Sequence, residues 1–418
     1  MDLMEKVVSL CKRRGFVFPG SDIYGGLQGF WDYGPLGVEI KNNVKREWWK
    51  TIVYESEDVV GLDAAIIMNP QIWEASGHTA SFTDPLVECK NCHHRFRIDQ
   101  VENHCPDCGG ELTDQKTFNL LTEVYLGSTE PKQKTYLRGE ITQGVFVNFK
   151  NVINSTRQEI PFGIAQIGKA FRNEITPGNF TFRSREFEQM ELEFFIKPGE
   201  NEANKWFEYW KKQRLNWYTR LGIRKENLRF REHAPDERAH YARAAEDIEY
   251  NAPFGWKECE GIHNRGDWDL SRHKLTHNDF TPWVIETSGG VDRATLFFLI
   301  DSYSEVGDRV VLKLHPKLAP HKVAVFPLVS NKEALVTKAG EIYKNLKLNL
   351  ELNPAWDDRG NIGKRYYAQD EIGTPFCVTI DYQTLEDDTV TVRDRDTSEQ
   401  ERVSVEKLPE YFTSKLEK

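Results

Sequence analysis

The sequence Phe171-Arg172-Asn173-Glu174 is followed, after a loop that contains Gly178, by Arg183-Ser184-Arg185-Glu186-Phe187-Glu188-Gln189-Met190-Glu191. Both halves of this stretch are dense in charge yet have the character of β-strands. The residues alone leave two explanations open. One is a solvated hairpin with cross-strand ion pairs. The other is a phosphate site, and charge pattern alone favours neither because short motifs often match by chance.

A phosphate site would give three of these side chains distinct tasks. Arg172 would be a fixed fork on an anionic oxygen, which the planar guanidinium group suits. Phe187 would offer a flat face to a purine, because bases stack on aromatic rings. Arg183 would hold the far end of a polyphosphate.

Three segments in chain order resemble the motifs of class II aminoacyl-tRNA synthetases. Motif 2 is matched at Phe171, Arg172, Glu174, Arg183, Phe187 and Glu191. The glycine turn and apolar helix of motif 3 are matched by Gly289-Gly290-Val291-Asp292-Arg293-Ala294-Thr295-Leu296-Phe297-Phe298. Motif 1, a long helix and a strand that ends in proline, is matched more loosely by Gly37–Tyr54 and Pro70.

Other segments resemble, within that class, the glycyl-tRNA synthetases of the homodimeric type. They are Gly15–Gly26, Trp31–Gly37, Trp73–His78, Arg172–Phe195, Ile362–Tyr366 and Asp370–Pro375. The resemblance implies an α+β catalytic domain with a mostly antiparallel sheet over residues 1–316. It places an inserted zinc ribbon at 85–115 and a partly helical insertion at 200–280. A C-terminal α/β anticodon-binding domain over 317–418 agrees with the change of pattern near Pro320.

The resemblance also implies an ATP site, with Arg172, Glu174 and Arg293 as catalytic residues. Arg172 would bridge the glycine carboxylate and the α-phosphate. Phe187 and Arg293 would cover the two faces of adenine, and Glu174 would accept from its amino group. Arg183 and Arg293 would hold the γ-phosphate, with Glu258 among the ATP and Mg²⁺ contacts. The whole predicted set is Arg172, Asn173, Glu174, Phe182, Arg183, Ser184, Arg185, Glu186, Phe187, Glu258, Cys259, Gly290, Val291, Asp292 and Arg293.

A glycine pocket must grip the ammonium group and deny space to larger side chains, and carboxylates suit the first task. The family places Glu140, Glu286 and Ser288 there. The predicted set is Arg97, Glu140, Phe187, Glu188, Gln189, Met190, Glu191, Glu286, Thr287, Ser288, Gly289 and Gly290. Without the motifs, each lone glutamate would be taken for a surface charge.

The pocket segments depart from the family pattern at a few positions. The family usually has Arg-Pro-Glu-Thr-Ala-Gln where this chain has Arg138-Gly139-Glu140-Ile141-Thr142-Gln143. Gly139 loosens the backbone that aims Glu140. Thr287 stands where proline is common, and Glu260 and His263 are unusual. These changes affect the expected pocket geometry and not the expected reaction.

Four of the seven cysteines form two pairs, Cys89-x-x-Cys92 and Cys105-x-x-Cys108. Paired turns of this kind present four thiolates to one tetrahedral Zn²⁺, and a closed four-thiolate site is structural. The alternative is four free thiols. His78 is expected to be a structural histidine, although it could lie near the site.

Hydrophobic periodicity predicts further elements. We expect helices over 2–14, from Pro35 through Tyr54, over 201–221 and over 292–303. We expect strands at 64–68, 135–137, 145–148, 163–171, 186–195 and 283–286. In the C-terminal part we expect strands at 323–329, 376–381 and 389–393, and helices at 332–346, 360–371 and 403–415.

Bulk composition fits a globular enzyme. The 418 residues contain 39% hydrophobic and 29% charged residues, and no apolar run approaches the length of a membrane helix. No secretory signal is recognisable, so a cytoplasmic location is expected. The net charge of −10 decides little, since binding tRNA needs only a local basic face.

The expected activity is ATP-dependent attachment of glycine to tRNA(Gly) by a homodimer. One alternative is another class II synthetase, for prolyl, threonyl or seryl transfer. A second is a non-catalytic accessory protein, but such relatives usually lose the arginines that this chain keeps as Arg172, Arg183 and Arg293.

Overall fold

The first helix, α1 (Leu3–Arg14), begins and ends where the sequence predicts. The Asp2 side chain accepts a hydrogen bond from the Glu5 amide and Glu5 returns one, which forms a capping box. Gly15 ends the helix in the left-handed region, at φ +75°. The structure is a computed structural model that describes residues 1–98, 101–239, 241–349 and 352–416.

The segment up to residue 137 contains short strands and helices around one long helix. They are β1 (Val17–Pro19), β2 (Trp31–Tyr33), α2 (Pro35–Trp49), β3 (Val59–Gly61), α3 (Pro70–Ala75), α4 (His78–Ser81), β4 (Thr83–Glu88), β5 (Arg95–Arg97), β6 (Lys116–Asn119), β7 (Thr122–Leu126) and β8 (Gln133–Leu137). A π-helical turn, Lys50–Tyr54, follows α2 directly, so the helical segment ends at Tyr54 as predicted.

The middle of the chain supplies most of the large sheet. Its elements are α5 (Thr142–Thr156), β9 (Phe162–Phe171), β10 (Glu186–Ile196), α6 (Glu200–Arg220), β11 (Leu228–Glu232), β12 (Ala244–Ala252), β13 (Gly255–Gly266), α7 (Trp268–Arg272), β14 (Trp283–Gly290), α8 (Val291–Ser302), β15 (Tyr303–Val306) and β16 (Arg309–Leu312). Single 3₁₀ turns lie at Asp22–Tyr24, Phe180–Phe182, Lys225–Asn227 and Val405–Lys407.

Seven strands form the central sheet in the order β11-β12-β13-β14-β10-β9-β3. Its pairings are antiparallel except that of β3 with β9. One face packs on α2, α6 and α8, where alternate residues of β10, Met190, Leu192 and Phe194, enter the main core. The opposite face carries α5 and a deep cavity. Residues 200–280, expected as a partly helical insertion, contain the helices α6 and α7 and supply β11 to β13 of this sheet.

Two predicted strands are wrong. Val145–Asn148 lies inside α5, where Val145, Phe149, Val152 and Ile153 are buried at helical spacing. Packing of that face therefore overrides the local β-propensity of its branched and aromatic residues. Residues 64–68 form no strand, because the parallel partner of β9 is β3 instead. Ile66 and Ile67 are each more than a third exposed.

The cysteine pairs lie beside a three-stranded antiparallel sheet, β5-β4-β6. Isolated bridges join Cys89 to Leu112 and His104 to Glu111. This small unit has its own pairing and lies outside the seven-stranded sheet.

The C-terminal part forms an α/β unit with a five-stranded sheet, β18-β17-β19-β20-β21. Its elements are β17 (Val323–Pro327), α9 (Glu333–Asn349), β18 (Ala355–Trp356), α10 (Ile362–Ile372), β19 (Phe376–Ile380), α11 (Thr384–Asp387), β20 (Thr389–Asp394), β21 (Gln400–Ser404) and α12 (Leu408–Leu416). The predicted helix 403–415 starts later, because β21 continues to Ser404. Polar contacts join this unit to the rest: Glu371 of α10 pairs with Arg13 and Arg14 of α1.

Within the described ranges, none of the helices has both the length and the apolar character that crossing a bilayer requires.

Candidate functional site

A cavity of about 330 Å³ opens on the face of the sheet opposite α8. Most of the predicted ATP and glycine residues line it. Those that do so are Glu140, Arg172, Glu174, Phe182, Arg183, Ser184, Phe187, Glu188, Gln189, Glu191, Glu258, Glu286, Ser288, Gly289, Gly290, Asp292 and Arg293. The structure therefore brings together residues that are more than 150 positions apart in the chain.

The strand register places the acidic side chains in two rows across the sheet. Glu286 of β14 lies opposite His263 of β13 on one side and Glu193 of β10 on the other. In the next row, Ser288 lies opposite Glu191. Because side chains alternate between faces, residues of both rows point away from the α8 core and towards the cavity side.

Glu286 is buried and has a cationic group at each carboxylate oxygen. Arg265 donates from Nη1 to Oε1 at 2.9 Å, and the imidazole Nδ1 of His263 contacts Oε2 at 2.5 Å. Burial and the nearby Glu140 would raise the pKa of Glu286, but the two cationic partners outweigh them and lower it. Glu286 is therefore a carboxylate held in a fixed orientation.

Glu140 follows β8 and is held by two side chains. His78 Nε2 lies 3.2 Å from its Oε1, and Gln143 donates to the same atom at 3.2 Å. Burial alone would raise the pKa of Glu140, yet the His78 contact and this hydrogen bond bring it far below its usual range. His78 is buried and is also hydrogen-bonded to Ser76. It is therefore a structural histidine that also contacts Glu140, a predicted pocket residue.

Glu191 lies in the same pocket, and the hydrogen bonds that it accepts from the described residues come from neutral groups. Ser288 Oγ donates to Oε1 at 2.6 Å, Gln189 Nε2 donates to Oε1 at 2.7 Å, and Thr142 Oγ1 donates to Oε2 at 2.6 Å. Thr142 also reaches Glu286 at 3.3 Å and so links the two glutamates.

Arg172 lies at the end of β9, between aromatic rings. Its guanidinium carbon is 5.3 Å from the ring centre of Phe187 and 5.2 Å from that of Phe82. Its Nε donates to the carbonyl oxygen of Gly139 at 3.0 Å, which aims the other nitrogens of the fork. The backbone of Gly139 thus connects Arg172 to the neighbouring Glu140.

Arg293, in the first turn of α8, engages two predicted ATP residues. Its guanidinium carbon lies 4.5 Å from the ring centre of Phe182, and its Nη1 lies 2.9 Å from Oε2 of Glu258. Nε of Arg183 lies 3.7 Å from Oε2 of the buried Glu174. Each arginine of the predicted γ-phosphate pair thus faces a carboxylate.

Several predicted residues support the site from outside the cavity. Arg185 donates to the carbonyl oxygens of Glu174 and Gln28, and Glu186 pairs with Lys169. The Asn173 amide bonds the Leu120 carbonyl. Four residues point into the core: Met190, Cys259, Thr287 and Val291. Arg97 pairs with Asp84 in the β4–β5 unit, and it does not line the cavity.

Asp292 lines the cavity and also joins three elements. Its carboxylate accepts from Lys41 of α2 at 2.8 Å and from the Glu188 amide of β10 at 2.6 Å. It therefore anchors the start of α8 against α2 and β10.

Sequence reasoning missed part of the lining. The missed residues are Thr181, His233, Glu237, Ala239, Tyr241, Ala245 and Asp247. His263, noted only as unusual, contacts Glu286, and Arg265, which was not considered, fixes that glutamate and Asp269 together. For Ala245 and Asp247 on β12, and for His263 and Arg265 on β13, the spacing of two residues along a strand was an available signal.

The four paired cysteines come together. Sγ of Cys89 lies 3.5 Å from that of Cys108, Sγ of Cys92 lies 3.6 Å from that of Cys105, and all four sulfurs lie within 4.8 Å of one another. The amides of Cys92 and Asn91 donate to Cys89 Sγ and lower the pKa of that thiol to about 6. Thiolate donors at this spacing fit one tetrahedral ion with Zn–S bonds of about 2.3 Å.

Known families match two long segments of this chain. Residues 125–300 match the tRNA synthetase class II core domain (G, H, P, S and T), and residues 322–415 match an anticodon binding domain. The first segment holds the cavity and the second is the C-terminal α/β unit. The chain thus contains the core domain and the anticodon-binding domain of a class II aminoacyl-tRNA synthetase.

Comparison with curated proteins shows to which family within this class the chain belongs. The chain is 50% identical to a glycine–tRNA ligase of Alkaliphilus oremlandii, over 99% of this chain and 98% of the relative. It is 52% identical to that of Treponema denticola, over 96% and 94%, and 50% identical to that of Streptomyces coelicolor, over 99% of both chains. The chain belongs to the glycine–tRNA ligase family.

Proposed function

We propose that this chain activates glycine with ATP and transfers the glycyl group to tRNA(Gly), with the cavity as its active site. A carboxylate oxygen of glycine attacks the α-phosphorus of ATP, and pyrophosphate leaves. A terminal ribose hydroxyl of the tRNA then attacks the glycyl carbonyl carbon, and AMP leaves. The observation that carries the proposal is that Arg172 and the carboxylates Glu140, Glu191 and Glu286 open into one cavity.

Arg172 acts on the reacting groups. Its fork bridges the glycine carboxylate and the α-phosphate, so it stabilises the negative charge that accumulates as the adenylate forms. The hydrogen bond to Gly139 and the two flanking rings support this role, because they restrict the guanidinium group before substrate binds. No protein nucleophile takes part.

The arginines and aromatic residues around Arg172 hold ATP. Phe187 stacks on one face of adenine, Arg293 covers the other, and Glu174 accepts from the adenine amino group. Arg183 and Arg293 hold the γ-phosphate in a bent conformation. The same two arginines contact the carboxylates of Glu174 and Glu258, which also line the cavity.

Mg²⁺ accompanies ATP, and Glu258 is the residue of this chain that would hold it. The ion neutralises charge on the phosphate oxygens and on the leaving pyrophosphate. An exposed carboxylate at the cavity edge fits that task, because a hard cation takes oxygen ligands and keeps several waters.

The deeper end of the cavity recognises glycine. Glu140, Glu191 and Glu286 surround the ammonium group, and Ser288 orients Glu191. Larger amino acids are excluded because Arg265, His263, Thr142 and Gln143 already fill the space around these carboxylates.

The cysteine cluster would hold a structural Zn²⁺, as the expected zinc ribbon at 85–115 requires. Cys89, Cys92, Cys105 and Cys108 provide four thiolates and leave no open coordination position.

The C-terminal unit binds the anticodon end of tRNA(Gly), and the active enzyme is a homodimer. Arg365 is buried and donates to four backbone carbonyls, so the exposed Lys364 beside it is the better candidate for contact with tRNA phosphate.

Glycine-dependent exchange of pyrophosphate into ATP tests the proposed reaction. The exchange should require glycine, and proline, threonine or serine should not replace it. Exchange with one of those amino acids would identify another class II synthetase, and no exchange with any amino acid would indicate an accessory protein.

A further inference from the structure

The carboxyl groups around the proposed glycine pocket fall into two sets. Three of them contact a basic side chain: Glu140 contacts His78, and Asp269 and Glu286 share Arg265. Asp269 receives two hydrogen bonds from that arginine, at 2.7 and 3.0 Å. Each of these three carboxyl groups therefore has a basic side chain as a partner.

Glu191 and Glu193 form the second set. They lie on the same face of β10, both are buried, and the hydrogen bonds to Glu191 come from a serine, a threonine and an amide. Among the described residues, both carboxyl oxygens of Glu193 lack a hydrogen-bond partner. One oxygen each from Glu191, Glu193 and Glu286 lie within 4.8 Å of one another.

Nearby cations are directed elsewhere. Arg138 donates to the carbonyl oxygens of Lys169 and Ala64, and Arg172 donates to that of Gly139. Arg265 and His263 face Glu286, and the ring of Tyr241 lies on the Arg265 guanidinium group. A buried carboxylate without a cationic partner costs free energy, because its charge is removed from water. A buried carboxyl group in such surroundings therefore keeps its proton.

We propose that the ammonium group of glycine displaces a proton held by the Glu191 carboxyl group, so that glycine binding releases a proton. The O–H bond of Glu191 breaks, the proton passes to the solvent, and the ammonium group takes its place as the cation of the pocket. This inference rests on the proposed function. It assigns the exchange to Glu191 because Glu191 lines the cavity, whereas Glu193 does not and keeps its proton.

Burial, together with the charges of Glu286 and Glu140, raises the pKa of Glu191 to about 7. The empty pocket is therefore protonated below pH 7, and glycine must expel that proton. Release should approach one proton per glycine at pH 6, about half at pH 7, and little at pH 8. As a consequence, the dissociation constant for glycine should rise by up to about tenfold per pH unit below pH 7.

Calorimetry measures this release directly. Glycine is titrated into the full-length protein saturated with α,β-methylene-ATP and Mg²⁺, in PIPES, HEPES and Tris at one pH. The slope of the binding enthalpy against the buffer ionisation enthalpy gives the number of protons released. Binding enthalpies that do not depend on the buffer at pH 6 and pH 7 would overturn the inference.

Two variants identify the source of the proton. Glu193→Gln and His263→Asn each remove a neighbouring titratable group, and release should persist in both. Loss of release in either would assign the proton to that residue and overturn the assignment to Glu191. Absence of glycine binding at every pH would refute the proposed function and the inference with it, whereas binding without release refutes the inference alone.

Discussion

Arg265 and Glu286 lie on neighbouring strands, and the guanidinium group of Arg265 donates a 2.9 Å hydrogen bond to the carboxylate of Glu286. Both side chains are buried from solvent. Arg265 holds Asp269 with its other nitrogens. One arginine therefore fixes the glutamate of the proposed pocket and ties it to α7. The position of Glu286 in the pocket therefore depends on Arg265, which does not itself line the cavity.

Replacing Arg265 with Met should destabilise the protein and impair glycine activation. The change leaves Glu286 and Asp269 buried with one cationic partner fewer, and breaking a buried pair typically costs about 3–5 kcal/mol. Urea unfolding followed by circular dichroism measures the loss. Arg272→Met is the matched control, because Arg272 is exposed and lies on α7, the helix that carries Asp269. A parent-like unfolding free energy for Arg265→Met would contradict the expected role.

Arg172→Ala should abolish adenylate formation and leave the fold intact. Loss of a contact of this kind to developing charge typically costs about 2.7–4 kcal/mol, roughly a hundred- to thousandfold in rate. Pyrophosphate exchange measures the rate, and circular dichroism checks the fold. Arg220→Ala, an exposed arginine at the end of α6, should exchange at the parent rate. Exchange close to that rate in Arg172→Ala would refute its assignment.

Local patterns predicted much of this fold, and long-range packing explains the rest. The cap of α1 and the cysteine spacing depend on neighbours in sequence, so they could be read directly. The contact of His263 with Glu286 depends on the register of β13 with β14, which no local pattern encodes. Arg365 is a related case, because the sequence gives its charge but does not show that the side chain is buried.

Purified protein should contain about one zinc per chain. Cys105→Ser and Cys108→Ser should lose it, because each removes one of four thiolates and metal binding is coupled to the folding of such a site. Elemental analysis of freshly purified protein gives the stoichiometry. Cys377→Ala is the control, since Cys377 is buried in the C-terminal sheet and should not change the zinc content. Zinc-free parent protein would favour four free thiols.

Deleting residues 321–418 should greatly weaken tRNA charging yet leave glycine-dependent exchange measurable. The cavity residues all precede this segment, but the deletion also removes the pairing of Glu371 with Arg13 and Arg14. Glu371→Gln weakens that attachment while it keeps the domain, so it separates loss of the attachment from loss of tRNA contact. Both reactions are measured on all three proteins. Unaffected charging by the truncated chain would show that the domain does not bind tRNA.

Glycine should be strongly preferred over alanine, and Glu286→Ala should lose glycine activation. One extra methyl group in an apolar pocket is worth only about 1–3 kcal/mol of preference. Here the methyl group would also separate the ammonium group from carboxylates that are already fixed, which adds the cost of unpaired buried polar groups. Gly139 and Thr287 depart from the family pattern, and a Cβ at Gly139 would lie 2.8 Å from the Phe82 ring, so the glycine permits close packing beside Glu140.

Amino-acid-dependent exchange with glycine, alanine and serine measures this preference in the parent and in Glu286→Ala. Glu305→Ala, an exposed glutamate of β15, controls for the loss of a carboxylate elsewhere and should behave as the parent. Equal use of alanine by the parent would show that sterics do not guard the pocket. Unchanged glycine affinity in Glu286→Ala would place the ammonium site elsewhere in the cavity, because a fixed carboxylate in direct contact with the ammonium group cannot be removed without cost.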